Sequence, residues 1–285
     1  MSVIREFYPK AFGGKYKVMC EKFTNANEIT EVSERRKANS EFSGDFTRSK
    51  VCSSFHGVDE WSEAVDLLKH GYKAVVPKLS KMVEMTARGD TYKTSFRNDV
   101  VGYAPVVPLA MKGIPNCMIN TYKKPVKDKV VNIYLDRTAL CNRTPNEITQ
   151  ACSNFVAALL ELEMQGYRFN VTVVKTNCNN TSCDMLTLKI KDANLPIDLQ
   201  RMSYPLIHTA FARVTCWDWY SRCPAATYRF GLGHQLGREF SAEKIVDAFE
   251  EVFNERCILF QLEDMIGCSK EYIEQTILDA NKNMR

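Results

Sequence analysis

Hydrophobic and polar positions in the second half of the chain change their period several times, and each change marks a predicted element. Residues 130–135 (VVNIYL) form an almost uninterrupted apolar run, which is typical of a strand covered on both faces. Between residues 148 and 162, apolar positions recur every three or four residues, as on one face of a helix. Residues 168–175 (RFNVTVVK) and 185–190 (MLTLKI) are again rich in β-branched residues. The pattern predicts a strand, a helix and two further strands.

The helix in this series has clear end signals. Thr144 supplies an N-cap hydroxyl, Pro145 is suited to the first helical position, and Glu147 follows the cap by three residues. Gly166 is a natural stop, so the helix is predicted over 145–165. A crossover helix makes its two flanking strands parallel, whereas the polar turn at 177–182 makes the last strand antiparallel, and we expect that strand at the sheet edge.

The rest of the chain is predicted to divide into three regions. Residues 1–50 are polar with few periodic apolar positions, which favours a polar arm or a cover segment. Residues 51–126 contain an amphipathic helix at 58–71 and a stretch rich in proline and glycine at 101–119, which we expect to be irregular and packed on the core. Residues 127–285 are predicted to form the α/β domain. The predicted fold class is an α/β three-layer sheet with an antiparallel edge strand, preceded by an irregular N-terminal region that contains helices.

Composition narrows the class of protein only slightly. The chain is 45% hydrophobic and 25% charged, and its formal charge of +4 permits nucleic-acid binding without arguing for it. It has no run of eighteen apolar residues and no apolar signal region at its start, so we expect a soluble, unexported protein with no membrane contact. The eleven cysteines include no Cys-x-x-Cys pair, which favours reduced thiols over a structural zinc site.

A ligand or partner surface is predicted at the carboxyl end of strand 130–135, where α/β sheets usually bind ligands. The surface would be formed by the loop after this strand and by two later segments. Its predicted residues are Asp136, Arg137, Thr138, Asn142, Arg143, Tyr204, Gly231, Gly233 and His234. We expect the substitution Asp136→Ala to weaken partner binding and to leave the fold intact.

Two other functions remain open from the residues alone. The basic stretch 121–129, predicted as a hinge, could bind nucleic acid, with an aromatic residue for stacking and lysines for phosphates; its candidate residues are Tyr122, Lys123, Lys124, Lys127 and Lys129. Gly231, Gly233 and Gly237 follow a predicted strand at 226–230, which is the context of a phosphate loop, but their spacing does not fit the dinucleotide fingerprint. A divergent nucleotide-dependent enzyme is therefore the second alternative. The four histidines lie in no recognisable catalytic signature, so no catalytic residue is assigned and a non-enzymatic protein is favoured.

Several segments together resemble an uncharacterised protein family of tailed-phage and prophage genomes. They are the tryptophan helix ending at Gly71, the motifs GYAP at 102–105 and GIPNCM at 113–118, LEMQGY at 162–167, and LPID at 195–198. The likeness covers roughly residues 50–235. Its motifs mark turns and the ends of elements, and they imply no activity. It implies a non-catalytic phage or prophage protein that binds a protein partner, as an assembly or host-takeover factor, in the host cytoplasm or the virion.

The C-terminal half also resembles the von Willebrand A-type Rossmannoid fold. Members of that fold often bind a divalent cation through Asp-x-Ser-x-Ser after the first strand. The corresponding positions here are Asp136, Thr138 and Leu140, and a leucine side chain cannot coordinate a cation. The resemblance therefore implies a degenerate metal motif with Asp136 and Thr138 as its remaining ligands. The favoured interpretation is that Asp136 orders the loop, and no other cofactor is expected.

Overall fold

The computed structural model describes residues 3–37, 46–77, 80, 92–125, 129–139, 142–195, 197–223 and 239–283. The described strands are β1 Val3–Phe7, β2 Lys17–Phe23, β3 Tyr92–Asp99, β4 Ala104–Pro105, β5 Met118–Pro125, β6 Lys129–Asp136, β7 Tyr167–Cys178, β8 Ser182–Lys191 and β9 Ile258–Gln261. The described α-helices are α1 Ala26–Arg35, α2 Phe46–Ser49, α3 Ser53–His56, α4 Trp61–His70, α5 Val107–Met111, α6 Pro145–Met164, α7 Leu199–Ile207, α8 Cys216–Ser221, α9 Ala242–Phe253, α10 Leu262–Met265 and α11 Lys270–Asn283.

Six strands form the main sheet in the order β1-β2-β8-β7-β6-β9. β6 is parallel to both β7 and β9, β7 is antiparallel to β8, β8 is parallel to β2, and β1 is antiparallel to β2. The predicted series of strand, helix, parallel strand and antiparallel strand is therefore confirmed as β6, α6, β7 and β8. The carboxyl ends of β6, β7 and β9 lie at one edge of the sheet.

Helix α6 begins at Pro145, as its start signals predict, because side chains in its first turn accept hydrogen bonds from backbone N–H groups that have no partner within the helix. The Thr144 hydroxyl accepts a hydrogen bond from the Glu147 N–H, and the Glu147 carboxylate accepts one from the Thr144 N–H at 2.8 Å. After the helix, Gly166 has a φ of 89°, a conformation that residues with a Cβ rarely adopt.

Helices cover both faces of the main sheet. On one face, Leu135, Val173 and Leu186 pack with residues of α6 and α7, including Phe155 and Tyr204. On the other face, residues of the same strands pack with α9 and with the N-terminal segment; these residues include Tyr134, Val174, Ile245, Phe249 and Phe12. This arrangement is the three-layer α/β fold that the sequence predicts.

The N-terminal residues extend the sheet, which corrects two predictions. Residues 1–50 were expected as a polar arm or cover segment, but β1 and β2 lie within this region and join the sheet beside β8. The antiparallel strand β8 is consequently interior, and β1 is the edge strand on this side. The charged residue Glu21 within β2 is misleading, because it is buried and paired with the Arg36 guanidinium by two hydrogen bonds of 2.8 and 2.9 Å.

A second, three-stranded sheet has the order β3-β5-β4, and helix α5 follows β4. We call residues 92–125 the small-sheet lobe. The region 101–119 was expected to be irregular and packed on the core. It instead contains β4, α5 and the start of β5, and many of its apolar side chains are exposed. Its apolar composition suggested burial, but composition alone does not show which surface an apolar segment faces.

Candidate functional site

Asp136, the last residue of β6, accepts hydrogen bonds from Thr138 in the following loop and from Thr176 on β7. One carboxylate oxygen accepts bonds from the Thr138 N–H at 2.9 Å and from the Thr138 hydroxyl at 2.6 Å. The other oxygen accepts a bond from the Thr176 hydroxyl at 2.8 Å. Asp136 is only 3% exposed, and both of its oxygens have donors, as buried carboxylates require. This geometry fits the interpretation that Asp136 orders the loop.

Arg137 follows Asp136 but turns to the opposite face of the sheet. Its guanidinium lies 2.7 Å from the Cys152 thiol on α6 and donates a hydrogen bond of 3.0 Å to the His208 carbonyl. Burial raises the pKa of the Cys152 thiol, while the nearby Arg137 charge lowers it. Burial and then Arg137 lower the pKa of His208 to about 4, so its imidazole is neutral at pH 7.

The predicted contact surface at this end of the sheet needs correction. Four of its members are buried within the chain: Asp136, Arg137, Thr138 and Tyr204. Tyr204 is hydrogen-bonded through its hydroxyl to the Thr215 hydroxyl at 2.8 Å, so these four side chains cannot contact a partner directly. Asn142 is exposed. Gly231, Gly233 and His234 lie outside the described residues, as does the strand predicted at 226–230.

Arg143 is engaged in helix contacts on the same side of the molecule. Its guanidinium pairs with Glu263 at 2.9 Å and with Glu147 at 3.7 Å, and its carbonyl accepts a hydrogen bond from Arg213 at 2.8 Å. Arg143 therefore joins the start of α6 to α10. This is a structural role, although the residue keeps some exposure.

The two remaining residues of the degenerate cation motif, Asp136 and Thr138, are hydrogen-bonded to each other in this structure. The Thr138 hydroxyl, which would be a cation ligand, donates to Asp136, the other predicted ligand. In the part of the chain that the structure describes, no group of three or more histidine, cysteine, aspartate or glutamate side chains is arranged to hold a metal ion.

The small-sheet lobe is where exposed apolar side chains collect. Eight of the twelve large hydrophobic side chains that are exposed among the described residues lie in it: Phe96, Val100, Val101, Tyr103, Val107, Met111, Ile114 and Tyr122. Met111 is 84% exposed and Tyr103 is 66% exposed. Single exposed hydrophobic residues need no explanation, whereas contiguous apolar patches are typical of interaction sites, so this concentration makes the lobe a candidate.

Both faces of the β3–β5 ribbon carry exposed aromatic rings. Phe96 is paired with Thr121, and Tyr122 is paired with Ser95. Because directly paired residues share a face and successive residues alternate, Phe96 and Tyr122 lie on opposite faces. Both rings are exposed, so neither face of the ribbon is fully covered at these positions.

Gly102 fixes the turn that brings β4 onto β5. A Cβ atom at this position would lie 2.2 Å from the Ile119 carbonyl oxygen, which is far inside contact distance. The close approach allows the Tyr103 N–H to donate a hydrogen bond of 2.9 Å to that same oxygen. The exposed residues around this turn are therefore held on an ordered backbone.

The lobe also carries a positive charge. Its sequence holds Lys93, Arg97, Lys112, Lys123 and Lys124 against the single acidic residue Asp99, an excess equal to the formal charge of +4 of the whole chain. The Arg97 guanidinium lies 5.5 Å from the centre of the Tyr122 ring and pairs with Asp99 at 2.8 Å. The lobe thus combines exposed apolar side chains with an excess of basic residues in its sequence.

The basic stretch 121–129 is not simply a hinge, because its first five residues belong to β5. Tyr122, Lys123 and Lys124 therefore lie on the ribbon, whereas Lys127 falls outside the described residues. Lys129 begins β6, where its ammonium lies 4.7 Å from the centre of the Tyr167 ring. The alternative nucleic-acid residues are divided between two sheets.

Sequence reasoning missed the lobe as a site, although a signal was available. Residues 92–125 combine apolar residues with prolines, glycines and five basic residues but lack a sustained helical or strand period. Such a segment gains less from burial in a core than a periodic one, because its charges would have to be buried with it. That combination would have favoured an exposed surface.

The chain is a member of a recognised family whose function is not known. A family model, described as a domain of unknown function (DUF7192), matches residues 8–266, and the chain therefore belongs to that family. The match begins after β1 and includes the other five strands of the main sheet and the small-sheet lobe. No curated protein and no solved structure matches the chain. Of the helices in the described ranges, none has the length and apolar character that a membrane span requires.

Proposed function

We propose that this protein is a non-catalytic interaction protein that binds a protein partner through the small-sheet lobe. The observation that supports the proposal best is the concentration of exposed apolar side chains in residues 92–125. Their hydration is unfavourable, so covering them with a complementary apolar surface would favour association. The main sheet, with its two buried cores, would serve as the scaffold that carries the lobe.

The charge of the lobe indicates the kind of partner. A segment that combines exposed apolar side chains with a net positive charge is complementary to an apolar patch with an acidic rim. The charged rim would speed the encounter, while the apolar centre would contribute most of the affinity. We therefore expect a protein partner whose contact surface carries aspartate or glutamate around exposed hydrophobic side chains.

The proposal can be tested by capture with two matched triple variants. The lobe variant carries Val101→Ser, Tyr103→Ser and Met111→Ser, and the control carries Tyr8→Ser, Leu195→Ser and Tyr272→Ser, which are exposed hydrophobic residues elsewhere. Each tagged protein is used to capture partners from cells in which the chain is naturally made. The proposal requires that specific protein partners are lost with the lobe variant and kept with the control. Equal capture by both variants would contradict it.

A nucleic-acid partner is the second candidate, because Arg97, Tyr122 and the adjacent lysines combine an aromatic ring with positive charges on one ribbon. Such binding should weaken steeply between about 50 and 200 mM salt, since it depends on the release of counterions. An apolar protein interface should persist over the same range. Titration of a labelled single-stranded oligonucleotide at these two salt concentrations separates the two candidates.

The biological setting is proposed on the resemblance to tailed-phage and prophage proteins. We infer an assembly or host-takeover factor that acts in the host cytoplasm or joins a virion. A binding lobe carried on a stable α/β scaffold suits either role. Detection of the captured partner among virion proteins or among host proteins would distinguish assembly from host takeover.

A further inference from the structure

Two buried cysteine thiols are in contact across the hairpin that joins β7 to β8. Cys178 is the last residue of β7, Cys183 is the second residue of β8, and the two are directly paired in the antiparallel register. Their Sγ atoms lie 2.8 Å apart, and both residues are fully buried. Directly paired residues present their side chains on the same face of a sheet, so the contact follows from the strand pairing itself.

The backbone at this pair already has the geometry of a disulfide. The Cα atoms of directly opposite residues in an antiparallel pair are about 4.5–5.5 Å apart, within the range of about 4.4–6.8 Å that disulfides span. An S–S bond is about 2.0 Å long, so the sulfur atoms of Cys178 and Cys183 need to approach by only about 0.8 Å. Rotation of the side chains can supply this movement, and the strands can stay where they are.

Hydrogen bonds at the end of the hairpin hold the two strands in this register. The Asn179 N–H donates to the Ser182 carbonyl at 2.8 Å, and the Tyr16 hydroxyl lies 2.8 Å from the carbonyl oxygens of both residues. The Lys17 N–H donates to the Thr181 carbonyl at 3.1 Å. The turn that keeps the cysteines together is therefore also the place where the start of β2 is attached.

We propose that Cys178 and Cys183 are a modification site that closes into a disulfide in the folded protein when a small disulfide, such as glutathione disulfide, is in excess. One thiolate attacks a sulfur of glutathione disulfide, forms a mixed disulfide and releases one glutathione thiolate. The second thiolate attacks the protein sulfur of the mixed disulfide, forms the S–S bond and releases the other glutathione. The two cysteines lose two electrons, which reduce glutathione disulfide, and their two protons pass to the released thiolates.

The position of the pair beside the turn gives the oxidant access. Asn180 and Thr181 at the tip of the turn are exposed, and one residue separates Cys178 from Asn180. Local opening at the end of a hairpin requires less free energy than global unfolding. Burial, and then the contact with Cys178, raise the pKa of the Cys183 thiol, so few thiolates form while the hairpin is closed. Exchange should therefore occur through the opened end, and more slowly than at the exposed Cys52.

The fold should make this disulfide more favourable than it is in the unfolded chain. Folding already brings the two thiols into contact, which raises the effective concentration of one thiol at the other. By the same linkage, the bond would stabilise the folded hairpin and the attachment of β2 to it. The site belongs to the main sheet, so this inference is independent of the function proposed for the small-sheet lobe.

The test incubates the full chain in glutathione buffers with different ratios of disulfide to thiol, in native buffer and in urea. Each incubation starts both from reduced protein and from protein refolded in excess glutathione disulfide, so that slow exchange is not mistaken for absence of the bond. Free thiols are alkylated in denaturant and the protein is digested with trypsin. Residues 176–189 contain both cysteines and are released as one peptide by cleavage after Lys175 and Lys189. This peptide carries two alkyl groups when reduced, and when oxidised it carries none and is two hydrogens lighter.

The matched control is Cys20→Ala, which removes another buried thiol from the same apolar cluster. With glutathione disulfide in excess, the peptide from the folded wild type and from Cys20→Ala should carry the internal disulfide. At one glutathione ratio, the quotient of oxidised to reduced peptide should be about tenfold or more higher in native buffer than in urea.

Three results would overturn the proposal. The first is a doubly alkylated peptide from the folded wild type after both starting states. The second is the same quotient of oxidised to reduced peptide in native buffer and in urea, which would show that the fold does not favour the bond. The third is loss of the disulfide in Cys20→Ala, which would make Cys20 the partner of one of the two thiols.

Discussion

Trp219 donates its indole N–H to the Glu21 carboxylate at 2.6 Å, and both side chains are buried. The bond joins α8 to β2, which are separated by almost two hundred residues of sequence. Glu21 also accepts two hydrogen bonds from Arg36, just after α1. This group of three residues therefore connects the N-terminal strand pair to the helices that cover the main sheet.

The first prediction concerns this connection. Trp219→Phe keeps an aromatic ring but removes the donor to Glu21, so we expect a loss of about 1.5–3 kcal/mol in the free energy of unfolding. Trp217→Phe, two positions earlier in the same helix and only partly buried, should cost about 1 kcal/mol or less. Urea unfolding followed by circular dichroism measures both. Equal losses for the two variants would show that the bond to Glu21 contributes little.

The second prediction concerns Asp136, whose replacement by alanine was expected from sequence to leave the fold intact. The buried carboxylate accepts three hydrogen bonds, so Asp136→Ala should destabilise the protein by about 2–4 kcal/mol. Thr176→Val removes one of these donors and should cost about 1–2 kcal/mol. Chemical denaturation measures both values. A wild-type stability for Asp136→Ala would contradict the structural role of this network.

The third prediction is an acid dependence that originates at the start of α6. The Thr144 N–H and hydroxyl, with a smaller effect from Arg143, hold the pKa of Glu147 below its usual value of 4.5. A carboxyl whose pKa is lower in the folded state stabilises the protein above its unfolded pKa, and this contribution is lost as the pH falls through the folded pKa. Thr144→Ala should therefore show a smaller loss of stability on acidification from pH 7 to below about pH 4. Unfolding curves at both pH values measure the difference, and an unchanged pH dependence would contradict the prediction.

The fourth prediction concerns thiol reactivity. Cys52 is exposed, whereas Cys20 and Cys216 are buried and burial raises the pKa of each to about 12. Because the thiolate is the reactive form, iodoacetamide should modify Cys52 in the native protein long before these two. All three should react at similar rates in urea. Peptide mass spectrometry measures the rates, and native labelling of Cys20 as fast as Cys52 would show that the core around β2 opens readily.

The parts of the fold that sequence predicts well are those with local signals. Helix α6 has a capping box, a proline at its first position and a glycine after its end. Its apolar residues recur every three or four positions, which also indicates a helix, so all the local signals agree. β2 escapes prediction because its buried Glu21 reads as a surface residue until Arg36 and Trp219 are seen beside it. Partners this distant in sequence leave no local pattern.

The candidate site could likewise be predicted only where the signal is local in sequence. The sequence correctly places Asp136 at the carboxyl end of a strand, but its partner Thr176 lies forty residues further on. Without that contact, an aspartate in a loop reads as an exposed ligand residue. The lobe is missed for the opposite reason, since Val101, Tyr103 and Met111 read as core residues although the structure exposes them.

The most direct test of the central claim is site-specific photo-crosslinking from the lobe. A benzoylphenylalanine is placed at Tyr103 in one protein and at Tyr272 in another, because these two tyrosines are 66% and 62% exposed and only the first lies in the lobe. The proteins are irradiated in the cells in which the chain is naturally made and then treated with nuclease. The account predicts a discrete protein adduct from position 103 that resists nuclease and is absent from position 272. No protein adduct from position 103, or the same adducts from both positions, would contradict it.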